Sequence, residues 1–285
     1  MQIIHDPNEL AALCRGWRFS GLHTVLVPTM GYFHEGHKSL MRAGRESGDR
    51  LIVSLFVNPA QFGPGEDLAA YPRDFDRDAA IAREMGADVL FAPAPDAMYL
   101  PDHATWIEVP SLSGTLCGLT RPTHFRGVCT VVAKLFLLIM PTTALFGEKD
   151  WQQLAILRRM ALDLNMPVSV KGLPIVREAD GLAMSSRNAY LTPEERAMAP
   201  ALQQGLLQAA RLLATGERDT AGLAQAIRAY WEKQLPLGQE EYLSFVHPET
   251  LVPVDHIENT ALVAAAVRLG KARLIDNLLL RAPVA

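Results

Sequence analysis

The sequence predicts a Rossmann-like, doubly wound parallel α/β domain, followed by a smaller α+β domain. Short apolar, β-branched runs alternate with helical stretches in the first part of the chain, which is typical of parallel sheets whose strands are connected by helices. The composition changes at Arg177, where a polar segment containing Gly181 begins. A chain of 285 residues is also long enough for two domains. We therefore expect one domain over residues 1–176 and a second over residues 177–285.

The first domain opens with a βαβ unit, whose crossover we expect to be right-handed. Residues 24–28 are predicted to form a buried strand, and a helix from residue 35 leads into a second buried strand over 49–58. A face of apolar residues between 128 and 139 predicts a helix that ends before Pro141. The other predicted elements are helices over 74–85 and 150–165, strands over 88–92, 144–146 and 168–176, and a proline-containing loop over 93–103.

The second domain begins with the polar segment 177–188, which we interpret as a hinge or an active-site loop. Two helical stretches follow, one from about residue 193 and one from about residue 220. Three apolar runs that favour strands come last, over 241–246, 261–269 and 272–280. Helices followed by strands predict an α+β arrangement.

Composition and charge argue against several classes of protein. The formal net charge of −4 argues mildly against a nucleic-acid binder, because such proteins are usually basic. The three cysteines form no C-x-x-C pair, so we expect reduced thiols and a cytoplasmic location. The N-terminus lacks the pattern of a secretory signal. Lys134 interrupts the longest apolar stretch, which is shorter than the roughly 20 residues that span a membrane.

The segment 28–37, PTMGYFHEGH, is the first that predicts chemistry. It joins a predicted strand to a predicted helix, and His34 and His37 share one face of the first helical turn. Gly36 allows a ligand to approach the backbone, and the start of a helix offers free N–H groups. These features predict a triphosphate site. Two alternatives are a helix cap with a second, exposed histidine, and a metal site, which would lack a third ligand at short range.

Four other segments carry polar side chains at predicted strand or helix ends. Their side chains suit hydroxyls, carboxylates or phosphates, although ordinary turns and solvated loops also contain such residues. Gln153 follows Lys149 by one helical turn. The residues concerned are Asn58 and Gln61 in FVNPAQF, His124 and Arg126 in RPTHFRGV, Lys149, Asp150 and Gln153 in FGEKDWQQL, and Ser185, Ser186 and Arg187 in GLAMSSRN.

The H-x-G-H pattern at residues 34–37 resembles the signature of a nucleotidyltransferase superfamily that includes class I aminoacyl-tRNA synthetases. The S-S-R-N segment stands where that superfamily has its mobile K-M-S-K-S loop. Seven motifs, between residues 24 and 277, resemble those of the pantothenate synthetase family in the same order. They are PTMGYFHEGH, FVNPAQF, YPRD, RPTHFRGV, FGEKDWQQL, GLAMSSRNAYL and ARLIDN.

The resemblance implies roles for individual residues. His37 resembles the family's proposed proton donor, and we expect His34, Lys149 and Arg187 to act with it in catalysis. Gln61 resembles a contact to both pantoate and β-alanine. Gln153 and Asn58 complete the expected substrate site, which is called the acid site below because it binds the carboxylic acid pantoate. The expected ATP-binding residues are Met30, Gly31, His34, His37, Gly147, Glu148, Lys149, Asp150, Val176, Met184, Ser185, Ser186 and Arg187. One departure is Tyr32-Phe33, where the family usually has a small residue and then leucine.

The resemblance also implies a reaction. Pantoate would be activated by ATP as its adenylate and then joined to β-alanine, releasing AMP and pyrophosphate. We expect Mg²⁺ to be bound mainly through the phosphates rather than in a protein metal site, and the enzyme to be a cytoplasmic homodimer that binds neither nucleic acid nor membrane. Two alternatives remain at this point. One is an adenylyltransferase with a phosphate acceptor, such as a phosphopantetheine adenylyltransferase, and the other is a non-enzymatic nucleotide-binding module.

Overall fold

The computed structural model describes residues 1–283. The strands are β1 (Gln2–Ile4), β2 (Thr24–Thr29), β3 (Arg50–Leu55), β4 (Val89–Phe91), β5 (Thr143–Gly147), β6 (Ser169–Leu173), β7 (Gly238–Val246), β8 (Thr260–Leu269) and β9 (Ala272–Arg281). The helices are α1 (Pro7–Phe19), α2 (Glu35–Ser47), α3 (Phe75–Glu84), α4 (Pro95–Met98), α5 (Pro110–Ser113), α6 (Cys117–Thr120), α7 (His124–Ile139), α8 (Trp151–Asp163), α9 (Pro193–Met198), α10 (Ala201–Ala214) and α11 (Thr220–Gln234).

The first six strands form one parallel sheet in the order β1-β4-β3-β2-β5-β6. Successive side chains of a strand point to opposite faces. Val25 and Val27 accordingly pack with α2 and α3, whereas Leu26 packs with α1, α7 and α8. Helices therefore cover both faces of the sheet, as the continuous apolar strands require. The predicted doubly wound α/β class is confirmed.

The structure corrects several predicted boundaries. The strand predicted over 49–58 ends at Leu55, because Asn58 caps a 3-10 turn over Pro59–Gln61. The strand predicted over 168–176 ends at Leu173, and Pro174 follows it. The loop predicted over 93–103 contains α4. The sequence reading missed β1 and α1, although Asp6 caps α1 and Pro7 occupies its first turn, which is a recognisable start signal.

The second part of the chain packs helices against a small antiparallel sheet, in the order β7-β8-β9. The first predicted helical stretch is two helices, α9 and α10, which meet at Pro200. Trp231 on α11 donates a hydrogen bond from its indole to the Ala201 carbonyl at 3.0 Å, tying α11 to α10. The predicted α+β character is confirmed.

Side chains of the second sheet contact the first domain directly. Asn277 on β9 donates from its amide to the carbonyls of Glu148 and Lys149, at 3.0 and 2.9 Å. Trp151 donates to the Pro248 carbonyl at 2.7 Å. We keep the domain boundary after residue 176 as a proposal. The predicted second domain includes residues 284 and 285, which lie outside the described residues. Within residues 1–283, no helix is both long and apolar enough to cross a membrane.

Candidate active site

A cavity of about 230 Å³ lies at the carboxyl ends of β2, β3 and β5. Ligands of open parallel sheets bind at this edge. Most of the residues predicted from the motifs line it, whereas Gly31 and Glu148 lie outside its lining. The predicted residues that the structure brings together here are Met30, His34, His37, Asn58, Gln61, Gly147, Lys149, Asp150, Gln153, Val176, Met184, Ser185, Ser186 and Arg187.

The two histidines form a capping box at the start of α2. Nδ1 of His34 accepts a hydrogen bond from the Gly36 N–H at 3.1 Å, and Nδ1 of His37 accepts from the His34 N–H at 3.3 Å. Because each Nδ1 is an acceptor, a neutral ring carries its proton on Nε2. A Cβ on Gly36 would lie 2.9 Å from the His34 ring, so glycine is needed at this turn. The two side chains expected to bind phosphate therefore also cap this helix.

Both histidines are neutral donors near pH 7. Burial, followed by the positive charge of Lys149, lowers the pKa of His34 to about 4. Burial, then the charges of His34 and Lys149, lower the pKa of His37 well below its usual value. Since a lowered pKa keeps the imidazole uncharged above that pKa, each ring keeps an Nε2–H available as a hydrogen-bond donor across the physiological range. The role of His37 as a proton donor stays a prediction.

The turn before the histidines is held by Asp78, which the sequence reading missed. Its carboxylate, 1% exposed, accepts hydrogen bonds from the backbone N–H groups of Tyr32 and Phe33 at 2.5 and 2.8 Å. Tyr32 has a left-handed backbone, with φ of 51°, which a non-glycine residue adopts only under constraint. Phe33 is fully buried between α2 and α3, and Arg77 stacks over the Tyr32 ring at 5.0 Å. The unusual Tyr32-Phe33 pair is thus accommodated by packing, and burial raises the pKa of Asp78.

Lys149 lies in a 3-10 turn between β5 and α8 and lines the cavity. Among residues 1–283 its ammonium group forms no salt bridge, although its backbone carbonyl is held by Asn277. Asp150 is exposed beside it, and Gln153 is half-buried one helical turn further on. A free ammonium group at the edge of a cavity is suited to neutralise phosphate charge.

Asn58 and Gln61 are buried amides at the end of β3. The Asn58 amide donates to the side-chain oxygen of Gln61 at 3.1 Å and to the Gly127 carbonyl at 3.1 Å. Gln61 in turn donates to the sulfur of Met30 at 3.0 Å. A thioether is a weak acceptor, so the Gln61 amide can exchange this contact for a ligand oxygen without a large loss.

Arg187 is engaged in this structure by a partner that the sequence reading missed. Its guanidinium forms a bidentate pair with Asp67, with both nitrogen–oxygen distances at 2.9 Å. Burial raises the pKa of the Asp67 carboxyl, but Arg187 outweighs this effect and holds that pKa below its usual value. Ser185 caps the short turn that carries Arg187, and the Ser186 hydroxyl lies 3.4 Å from the Tyr32 carbonyl. The Val176 carbonyl accepts from the Met184 N–H at 3.0 Å.

The basic residues of RPTHFRGV face different surroundings. His124 lines the cavity, and its Nδ1 lies 2.9 Å from the Gln61 carbonyl. Burial and then the charge of Arg121 lower the pKa of His124 to about 4. Arg126 lies outside the cavity lining, 5.0 Å from the ring centre of Trp106 and 3.7 Å from Glu108. Of the two residues considered for anions, the structure therefore places only His124 at the site.

The family model for pantoate-beta-alanine ligase matches residues 2–279 of this sequence. The chain belongs to that family. A relative named pantothenate synthetase, from Nitratidesulfovibrio vulgaris (strain Miyazaki F), is 66% identical over 98% of this chain and 99% of its own length. Another relative of the same name, from Oleidesulfovibrio alaskensis, is 63% identical over 98% of this chain and 100% of its own length.

Solved structures of the pantoate–β-alanine ligase family agree with the fold. The pantothenate synthetase of Thermus thermophilus superposes with a TM-score of 0.91 at 45% identity, covering 98% of this chain and 99% of that one. The pantoate–β-alanine ligase of Francisella tularensis, solved in complex with beta-gamma ATP and β-alanine, superposes with a TM-score of 0.79 at 28% identity, covering 98% and 97%. The family resemblance and the fold predicted from the alternation of strands and helices are confirmed.

Proposed function

We propose that the cavity joins pantoate to β-alanine in two steps that consume ATP, which is the overall reaction of the family. A pantoate carboxylate oxygen attacks the α-phosphorus of ATP, and pyrophosphate leaves, giving pantoyl adenylate. The amine of β-alanine then attacks the acyl carbon, loses a proton, and expels AMP, giving pantothenate. Adenylation is needed because a free carboxylate resists attack by an amine. The observation that carries the proposal is one cavity with phosphate donors at the α2 start and buried amides at the end of β3.

The phosphate end of this site combines neutral and charged donors. His34 and His37 would donate from Nε2–H, and Lys149 would place its ammonium beside the oxygens that gain charge as pyrophosphate leaves. Preorganised donors of this kind stabilise the transition state more than the ground state. Arg187 would join them by exchanging Asp67 for a phosphate, because a guanidinium binds carboxylate and phosphate with the same fork. Ser185 and Ser186 lie on the same turn and offer hydroxyls.

The acid end is neutral and partly apolar. Gln61 and Gln153 can donate to a carboxylate and accept from hydroxyls without adding a full charge. Asn58, whose amide already donates to Gln61 and to the Gly127 carbonyl, would position Gln61. An arginine in their place would stabilise the ground-state carboxylate and blunt its attack on phosphorus. Val131 and Phe146 line the same cavity and would cover the gem-dimethyl group of pantoate.

We expect Mg²⁺ to enter with ATP, held mainly by phosphate oxygens. In the described part of the chain, no group of three or more His, Cys, Asp or Glu side chains could hold a metal by itself. The exposed carboxylate of Asp150 borders the cavity and has the oxygen chemistry that Mg²⁺ prefers. When bound, the ion would supply counter-charge to the phosphates.

A homodimer in the cytoplasm, without nucleic-acid or membrane partners, remains part of this proposal. Light scattering on the purified chain tests the dimer, since a mass near twice the 31.3 kDa of the chain is expected.

Pantoate alone should drive exchange of labelled pyrophosphate into ATP, because the first step needs no β-alanine. The measurement follows label in ATP with pantoate present and β-alanine absent. Exchange that strictly required β-alanine would rule out a free adenylate. Exchange supported by a phosphorylated acceptor but not by pantoate would instead favour an adenylyltransferase.

A further inference from the structure

A second cavity, of about 710 Å³, lies between the α6–α7 connection and the sheet of the second domain. It shares Lys149, Asp150, Ser185 and Arg187 with the first cavity. The proposed phosphate end of the site therefore opens into it. Its far wall is formed in part by Arg268, Lys271 and Arg273, at the hairpin that joins β8 to β9.

Two arginines stand opposite each other on this hairpin. Arg268 and Arg273 are direct partners in the antiparallel register of β8 and β9, so their side chains project from the same face. Like charges in this position destabilise a sheet. Lys271, in the turn between them, is exposed, and it forms no salt bridge within the described residues. Three positive charges are thus gathered at one end of the hairpin.

One carboxylate serves both arginines. Glu241 accepts from Arg268 at 3.0 Å and from Arg273 at 2.8 Å, and its side chain is only 14% exposed. The register of β7 against β8 shifts between Glu240 and Tyr242, so Glu241 is the extra residue of a β-bulge. Bulges commonly redirect a side chain near a functional site. With Lys271 included, this cluster keeps an excess of two positive charges.

The terminal nitrogens of Arg273 lack a strong acceptor. Both lie 3.6 Å from the sulfur of Cys117, which is a weak hydrogen-bond acceptor. The Tyr242 hydroxyl also contacts this sulfur, at 3.2 Å. Each terminal nitrogen carries a second N–H that no acceptor in the described residues receives, so this partly buried guanidinium can donate to phosphate oxygens.

The arginine pair is connected to Lys149 through β9. Arg273, Ile275 and Asn277 alternate onto one face of the strand and all line the second cavity. The Asn277 amide holds the backbone carbonyl of Lys149 at 2.9 Å. At a rise of roughly 3.3 Å per residue, Arg273 lies about 13 Å along the strand from that contact. A small anion can cover this distance inside the cavity.

We propose that Arg268, Lys271 and Arg273 form a second anion site, which takes pyrophosphate after it leaves the first cavity. The inference rests on the proposed function, because it takes adenylation to be the source of the pyrophosphate. Binding at this wall separates pyrophosphate from the adenylate before the amine attacks. The site forms no covalent bond with the anion and holds it only by charge and hydrogen bonds.

Calorimetric titration with inorganic pyrophosphate tests the site, with pantoate and a saturating ATP analogue whose α–β bridge cannot be cleaved occupying the first cavity. The wild-type enzyme should still bind pyrophosphate. The double variant Arg268→Ala, Lys271→Ala should bind it roughly tenfold more weakly, as expected for the loss of two partly exposed charges. Lys171→Ala is the matched control, because Lys171 is exposed and lies outside both cavities; its affinity should match the wild type.

Glu241→Gln provides a test of opposite sign. Removing the shared carboxylate releases both guanidiniums, so this variant should bind pyrophosphate more tightly than the wild type, an effect that general damage to the fold would not produce. The proposal is overturned if filling the first cavity abolishes binding, or if the double variant binds as tightly as the wild type. Pantoate-dependent exchange is measured on the same wild-type preparation. If exchange is intact when these binding results fail, only the second site is wrong; if exchange is absent, the proposed function fails.

Discussion

Replacing Lys149 with alanine, or His37 with asparagine, is expected to slow pantoyl adenylate formation by a factor on the order of 10²–10³, the usual cost of one preorganised donor. Both side chains should stabilise the negative charge that the phosphate oxygens gain as pyrophosphate leaves. Asparagine is chosen for position 37 because its side-chain oxygen can replace Nδ1 as the cap acceptor for the His34 N–H, while it removes the Nε2–H. The variant should therefore keep its melting temperature and lose rate.

Measuring the two half-reactions separately distinguishes a role in adenylation from general damage to the fold. Rapid-quench measurement of adenylate formation reports the first step, and turnover of supplied pantoyl adenylate with β-alanine reports the second. The first should fall strongly and the second much less. Lys171→Ala again serves as the control for loss of a lysine, since its side chain is exposed outside the cavity. Equal losses in both steps would show that the roles are misassigned.

Replacing Gln61 or Gln153 with alanine should raise the Michaelis constant for pantoate by about one to two decades, since each lost contact with a buried partner costs roughly 1–3 kcal/mol. The constant for ATP should change only slightly, because the histidines and Lys149 remain. Steady-state kinetics with each substrate varied in turn makes the comparison. With the wild-type enzyme, pantoate analogues that lack a hydroxyl should have a Michaelis constant higher by a similar factor, because the buried amides would be left unpaired.

Gln152 is the natural control for Gln153. Gln152 is buried beside Gln153 in the sequence, but its amide N–H groups donate to the carbonyls of Leu112 and Thr115, at 2.9 and 2.7 Å. Its amide oxygen accepts from the Cys117 N–H. Gln152→Ala should therefore lower the stability of the fold without a selective effect on pantoate. If Gln61→Ala and Gln153→Ala raise the ATP constant as much as the pantoate constant, these residues do not form the acid site.

Local patterns predicted the fold class and several polar residues around the cavity, and the resemblance of the seven motifs added others, such as Met30, Val176 and Met184. The alternation of apolar strands with helices places every strand end at one edge of the sheet, so motifs distant in sequence meet there. Gln61 and Lys149 are examples, since Gln61 lies in the connection that follows β3 and Lys149 in the turn that follows β5. Asn58, Asp150 and Gln153 were predicted with them because they lie within a few residues of Gln61 or Lys149 in the sequence.

Long-range polar partners could not be predicted in this way. Asp78 is 46 positions from Tyr32, and Arg187 is 120 positions from Asp67. Each pairing depends on how helices and loops pack in space, and carboxylates are common on exposed helix surfaces, so no local signal distinguished these two. Asn277 was part of a recognised motif, but its contact to the Lys149 carbonyl required the relative position of the two sheets.

Transfer of an oxygen isotope from pantoate to AMP tests the central claim most directly. If the carboxylate attacks the α-phosphorus and the amine then breaks the acyl carbon–oxygen bond, the bridging oxygen leaves with AMP. Pantoate labelled with ¹⁸O in both carboxylate oxygens should therefore give AMP carrying one label and pantothenate retaining the other in its new amide, which mass spectrometry resolves. Label in pyrophosphate or inorganic phosphate, with unlabelled AMP, would contradict the account.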